Sequence, residues 1–215
     1  WTEQAKLIDW HKPFEQVLDY SKPPFAKWFV GGQTNLCHNA VDRHLKDRAK
    51  QIALVAVSTE TEQERAYTFE ELHAEVNRMA AILQANGVKK GDRVLIYMPM
   101  IAEACFAMLA CARIGAIHSV VFGGFASHSL ASRIEDAKPK MIITAEAGMR
   151  GGKAVPYKPL LDEAIALASF KPDKVLIVNR GLSEYTTVAN RDLDYASERE
   201  KHLNTKVAVE WVDAT

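Results

Sequence analysis

The sequence predicts an α/β fold: a doubly wound, mostly parallel sheet with helices on both faces. Three observations carry that expectation. Between residues 93 and 178, short apolar runs alternate with amphipathic helical patterns in the order β-α-β-α-β-α-β. The runs are nearly continuous in apolar residues, as in Arg93-Val94-Leu95-Ile96-Tyr97-Met98, which suits strands buried on both faces. The connections are short, so right-handed crossovers are expected.

The elements follow in order. Residues 1–33 are aromatic and proline-punctuated (Trp10, Phe14, Tyr20, Pro23, Pro24, Phe25, Trp28, Phe29), and such a segment is expected to wrap over a domain surface rather than fold alone. Residues 34–215 are read as one larger unit. Asn35 can cap a helix over 36–48, with Leu36, Ala40, Val41, His44 and Leu45 on one face. Residues 52–57 and 65–67 read as a hairpin about the polar turn 58–64. Thr68 and Glu71 form a capping box; Phe69, Leu72, Val76, Met79, Ala80 and Leu83 then recur at helical spacing until Gly87. After the strand 93–98, Pro99 is expected to open a helix through 112, closed by Gly115. A strand over 116–122, a helix from Ser127 or Ser129 to 137, a strand over 140–144, a helix over 159–168 and a strand over 174–178 complete the alternation. Beyond Asn179 the pattern weakens to a charged helix over 194–203 and an alternating strand over 207–212.

Composition narrows the function classes. In 215 residues, Lys+Arg and Asp+Glu are both 27, so no net field draws nucleic acid or an acidic membrane. Any anion site must come from a few locally placed cations. No run approaches the roughly 18 consecutive apolar residues of a membrane helix. Cys37, Cys105 and Cys111 are odd in number and read as buried thiols of a cytoplasmic protein. No CxxC or HxxxH spacing occurs, so no metal site is expected. The start without methionine and the stop at Asp213-Ala214-Thr215 read as a fragment.

Two stretches draw attention, because each follows a strand and precedes a helical pattern, where open α/β sheets place ligand loops. In Phe122-Gly123-Gly124-Phe125, two glycines let a flat ligand approach the backbone and Phe122 offers a stacking face. In Gly148-Met149-Arg150-Gly151-Gly152-Lys153, glycines open the backbone to an anion while Arg150 and Lys153 supply charge. This is not a phosphate-binding P-loop, since three residues separate Gly148 from Gly152 and Ala154 follows Lys153. There is no GxGxxG. No histidine sits with Ser or Cys and a carboxylate at a catalytic spacing, and no catalytic residue is expected within the chain.

The runs Gly91-Asp92-Arg93-Val94-Leu95-Ile96-Tyr97-Met98-Pro99-Met100 and Leu109-Ala110-Cys111-Ala112-Arg113-Ile114-Gly115-Ala116-Ile117-His118-Ser119-Val120-Val121-Phe122-Gly123-Gly124-Phe125 closely resemble the AMP-forming short-chain acyl-CoA synthetases of the acyl-adenylate superfamily. Trp28-Phe29-Val30-Gly31-Gly32 and Asn39-Ala40-Val41-Asp42-Arg43-His44 agree, and the likeness runs from about Trp10 to the last residue. Asn35-Leu36-Cys37-His38-Asn39, Phe125-Ala126-Ser127-His128-Ser129 and Arg150-Gly151-Gly152-Lys153 before Val155-Pro156-Tyr157-Lys158 look more like propionyl-CoA than acetyl-CoA synthetases.

The resemblance implies the amino-terminal portion of a large synthetase domain. It also implies a two-step reaction in which a carboxylate and ATP give acyl-AMP and pyrophosphate, and the CoA thiol then displaces AMP. Small molecules (propionate, ATP, CoA) are the implied partners, with Mg2+ as a further requirement. The resemblance places the CoA nucleotide end at Phe122, Gly123, Gly124, Arg150, Gly151, Gly152 and Lys153. Acetyl-CoA synthetases often carry arginine where Lys153 stands, and a lysine cannot grip a phosphate bidentately. The ATP and Mg2+ sites, the acyl pocket and the catalytic lysine are expected beyond Thr215, leaving this portion inactive alone. An acetate–CoA ligase and a stand-alone CoA- or nucleotide-binding regulatory module remain the alternatives.

Overall fold

The computed structural model describes residues 1–59 and 61–214; Glu60, within the predicted 58–64 turn, and Thr215 lie outside the described residues. Aromatic packing organises the amino-terminal segment. After a 3-10 turn at Gln4–Leu7, β1 (Gln16–Lys22) and β2 (Phe25–Val30) form an antiparallel hairpin. Trp10 meets Phe14 at 5.0 Å and Phe29 at 5.3 Å between ring centroids, near the hairpin's open end. The short strand β3 (Gln33–Thr34) follows.

The helix expected over 36–48 is broken. Asn35 does cap it, accepting from the His38 amide, but α1 (Leu36–Ala40) yields to a 3-10 turn at Asp42–His44 before α2 (Leu45–Arg48). The break goes with an ion pair to Arg113, which donates to both Asp42 carboxylate oxygens at 2.9 Å. Tertiary contact overrides propensity there. β4 (Ile52–Ser58) and β5 (Gln63–Thr68) form the expected hairpin. α3 (Phe69–Ala85) starts at the Thr68–Glu71 capping box, with both reciprocal hydrogen bonds made.

β6 (Arg93–Met98) comes next. α4 (Ala102–Arg113) begins three residues after Pro99, because Ile101 stays extended at φ −121° and ψ 161°. β7 (Ile117–Phe122), α5 (Ser127–Ala137) and β8 (Met141–Ala145) follow the expected alternation. The stretch read as a cationic loop is a hairpin of β9 (Ala147–Arg150) and β10 (Lys153–Pro156). α6 (Tyr157–Leu167) starts two residues before Pro159, and β11 (Lys174–Val178) succeeds it. β12 (Asp192–Asp194), not predicted, pairs parallel with β11 and leads into α7 (Tyr195–Glu200).

Of the strand expected over 207–212, only β13 (Val212–Asp213) forms, paired with β3. Distant partners take the backbone groups of Val207 and Glu210: Val207 N–H donates to Asn77 at 2.8 Å, the Val207 carbonyl accepts from Arg113 at 2.7 Å, and Glu210 N–H donates to the Arg113 carbonyl at 2.8 Å. Asn35 donates to the Glu210 carbonyl at 2.8 Å.

Five strands in the spatial order β12-β11-β8-β6-β7 make one parallel sheet. Numbered along the chain this is the 2-1-3-4-5 order, whose switch point lies between β6 and β8. Alternate residues of each strand feed two cores. Val94, Ile96, Met141, Ile143 and Leu176 join the core under α3 and α4. Leu95, Tyr97, Ile142, Val175 and Ile177 join the core under α5 and α6. The doubly wound architecture follows from this division.

Candidate functional site

At the carboxyl edge of the sheet, beside its switch point, lies a cavity of about 440 Å³. Met98, Pro99, Phe122, Gly123, Gly124, Arg150, Tyr157 and Arg180 are among its lining residues. Open α/β sheets hold ligands in this position.

Phe122 ends β7 and is 70% exposed. Its loop is nevertheless fixed from below. The Phe125 ring lies 5.9 Å from that of Phe122 and carries the Arg133 guanidinium 4.7 Å from its centroid. The Phe125 carbonyl accepts from the buried Tyr97 hydroxyl at 3.1 Å. Burial pushes the Tyr97 phenol up to about 12, so it remains a donor across the ordinary pH range. A large aromatic face is thus presented to solvent on a rigid support.

The paired glycines have different causes. Gly124 sits at φ +88°, where side chains are strained. Gly123 has an ordinary backbone, but a Cβ there would stand 2.5 Å from the Tyr157 hydroxyl oxygen.

Across the cavity, Arg150 and Lys153 are direct partners in the β9–β10 register. Gly151 at φ +57° and Gly152 at φ +75° form the two-residue turn between them, as a type I′ turn requires. A Cβ on either glycine would meet nothing within 4 Å, so the tip stands clear of the body. Of the four, Arg150 lines the cavity, while Gly151, Gly152 and Lys153 are exposed on the hairpin tip outside its lining. Direct pairing sets two cations on one face, where like charges repel. An anion bound between them would offset that repulsion.

Two residues that sequence reasoning missed hold this edge together. The Glu146 carboxylate is wholly buried and accepts from the Arg180 and Leu182 amides, each at 2.8 Å. Its carbonyl accepts from the Tyr157 amide at 2.8 Å and the Lys158 amide at 3.1 Å. Lys158, 1% exposed, meets Asp162 at 2.5 Å and Asp192 at 2.9 Å. Arg191 joins the same two carboxylates. Burial opposes the Asp192 charge, but Arg191, the Val188 amide and Lys158 together hold its carboxyl below the ordinary range. The available signal was a charged residue ending an apolar strand, as Glu146 does after Met141-Ile142-Ile143-Thr144-Ala145.

The arrangement can seat a flat aromatic group against Phe122 and a phosphate near Arg150 and Lys153. His118, the nearest imidazole along the chain, is partly buried in β7, and burial lowers its pKa. Among the described residues no group of three or more His, Cys, Asp or Glu could hold a metal ion. No helix among them is long and apolar enough to cross a membrane.

Comparison with known proteins gives concordant findings. Residues 41–213 match the family model of AMP-binding enzymes, and residues 1–40 match that of the acetyl-coenzyme A synthetase N-terminus. The chain is 59% identical over 214 residues to the propionate–CoA ligase of Escherichia coli (strain K12), covering 100% of this chain and 34% of that protein. It is 49% identical over 217 residues to the acetyl-coenzyme A synthetase of Bradyrhizobium diazoefficiens, covering 100% of this chain and 33% of that protein. The solved acetoacetyl-CoA synthetase from Streptomyces lividans superposes with a TM-score of 0.83 at 27% identity, covering 98% of this chain and 31% of that one. The chain therefore spans about a third of the length of the curated relatives it matches.

Proposed function

Because the chain belongs to the AMP-binding enzyme family, we propose that the protein carrying it is an AMP-forming propionate–CoA ligase, and that this chain supplies the seat for the nucleotide end of CoA. In the first step a propionate oxygen attacks the α-phosphorus of ATP, giving propionyl-AMP and releasing pyrophosphate. In the second the CoA thiol, losing its proton, attacks the propionyl carbonyl and AMP leaves. The 59% identity to a propionate–CoA ligase along the whole chain carries the substrate assignment. The 49% identity to an acetyl-coenzyme A synthetase favours acetate as the second reading.

For the seat itself, support comes from the exposed Phe122 ring facing a cavity that Arg150 also lines, with Lys153 paired to Arg150. The adenine would stack on Phe122 while Arg150 and Lys153 meet the 3′-phosphate. Groups that bind ATP, Mg2+ and the acyl chain are assigned to other parts of the protein. The free cysteines, two of them buried, suit a reducing cytoplasm.

The test uses the full-length protein. Arg150→Ala should raise the CoA KM by roughly ten- to a hundredfold, the worth of a charged hydrogen bond of about 1.5–3 kcal/mol. Propionate-dependent ATP–pyrophosphate exchange should change little, and dephospho-CoA should blunt the difference between variant and wild type. An unchanged CoA KM sinks the assigned seat. The ratio of kcat/KM for propionate and acetate separates the two substrate readings.

A further inference from the structure

The phenol of Tyr157 occupies space that two ligand-bearing segments leave empty. A Cβ on Gly123 would stand 2.5 Å from its hydroxyl oxygen and 2.9 Å from its Cζ, and one on Gly148 would stand 2.6 Å from Cζ. Neither glycine has a positive φ, so backbone conformation requires glycine at neither position. Space does. Tyr157 is 5% exposed, its ring lies 5.0 Å from that of Tyr97, and its amide is tied to the Glu146 carbonyl. The ring cannot retreat into that packed core. Its tip therefore touches the Phe122 loop on one side and the cationic hairpin on the other.

We propose that Tyr157 is a positioning residue for the nucleotide end of CoA: its phenol, wedged between Gly123 and Gly148, sets the gap between Phe122 and the Arg150–Lys153 pair. This rests on the CoA reading above and adds the part that fixes its geometry. A ligand that stacks at one end and is gripped by charge at the other spans a fixed length. Charged hydrogen bonds weaken steeply once displaced from their optimum. A methyl group added at Gly148 would displace the hairpin, and Arg150 with it, rather than the buried ring.

The experiment is a cycle in the full-length protein. Gly148→Ala should raise the CoA KM about tenfold, as loss of one well-placed charged hydrogen bond would, and should narrow the preference for CoA over dephospho-CoA. Tyr157→Leu should also raise the CoA KM. The double variant should be far better than the product of the two, because the added methyl group fills the space the phenol vacates. Independent, multiplicative effects overturn the proposal, as do equal losses for CoA and dephospho-CoA. If Gly148→Ala fails to fold, Tyr157→Phe decides, since it removes the wedge tip and keeps the ring; an unchanged CoA KM then overturns the proposal. Arg150→Ala run alongside separates the two layers. If it leaves the CoA KM unchanged, the CoA reading itself falls. If it raises that KM while Gly148→Ala does not, only the wedge falls.

Discussion

Asp42 keeps its charge in a place where burial alone would remove it. Burial opposes ionisation, but the His73 hydrogen bond and the Arg113 guanidinium outweigh it and hold the carboxyl below its ordinary value of 3.8. Such a depressed group stabilises the fold fully above its unfolded pKa, and the contribution is lost as pH falls through the lower folded value. Asp42→Asn should therefore cost about 3 kcal/mol near neutrality, since it leaves the buried Arg113 without its counter-charge. The gap between wild type and variant should close as pH drops below about 4, which denaturant titration across pH would read. A constant gap would place the stabilisation elsewhere. Cys37, beside this pair, is pushed up to about 12 chiefly by burial and should resist thiol reagents while the protein is folded. Phe122, Gly124 and Arg150 were legible in the sequence as members of one sheet edge. The reason for Gly123 was not, because it lies in Tyr157, 34 positions along the chain.

Elements that announce themselves locally formed as expected. The Thr68–Glu71 box satisfies orphan donors at the start of α3. Thr68→Ala should cost about 1 kcal/mol, read as a shift in the urea midpoint with an unchanged slope. A change in slope would mean the cap affects more than the first helical turn. Where elements departed from expectation, distant partners decided. The 36–48 helix breaks beside Arg113, and Val207 and Glu210 give their backbone groups to Asn77, Arg113 and Asn35 instead of to a strand. β12 is three residues long, too short for alternation to register. The β9–β10 hairpin did carry a signal, because Gly-Gly between short runs is a two-residue turn pattern.

Over the whole molecule, the sheet leaves β7 as an edge strand, paired among the described residues only with β6. Ile117, Val120 and Phe122 are exposed along it. An apolar edge of this kind is a template for another strand. The isolated 1–215 polypeptide should therefore self-associate with rising concentration in sedimentation experiments, and Val120→Lys should shift it toward monomer. A wild-type chain that stays monomeric at high concentration would show the edge to be inert. The alternation of apolar runs made the doubly wound class legible. Strand order was not, since nothing local states that β8 passes β7 to lie beside β6.

The bond from Asn35 to Glu210 also has a bearing on how the chain is made. Its partners lie 175 residues apart, and β3 closes on β13 at the same place. At ribosomal speeds of about 5–20 residues per second, Asn35 and β3 wait on the order of ten to thirty seconds for these partners. Throughout that interval Trp1, Trp28 and Phe25, exposed even in the finished fold, stand beside the Trp10–Phe14–Phe29 cluster. That aromatic surface stays open while the later residues are being made, and a holding chaperone would meet it there.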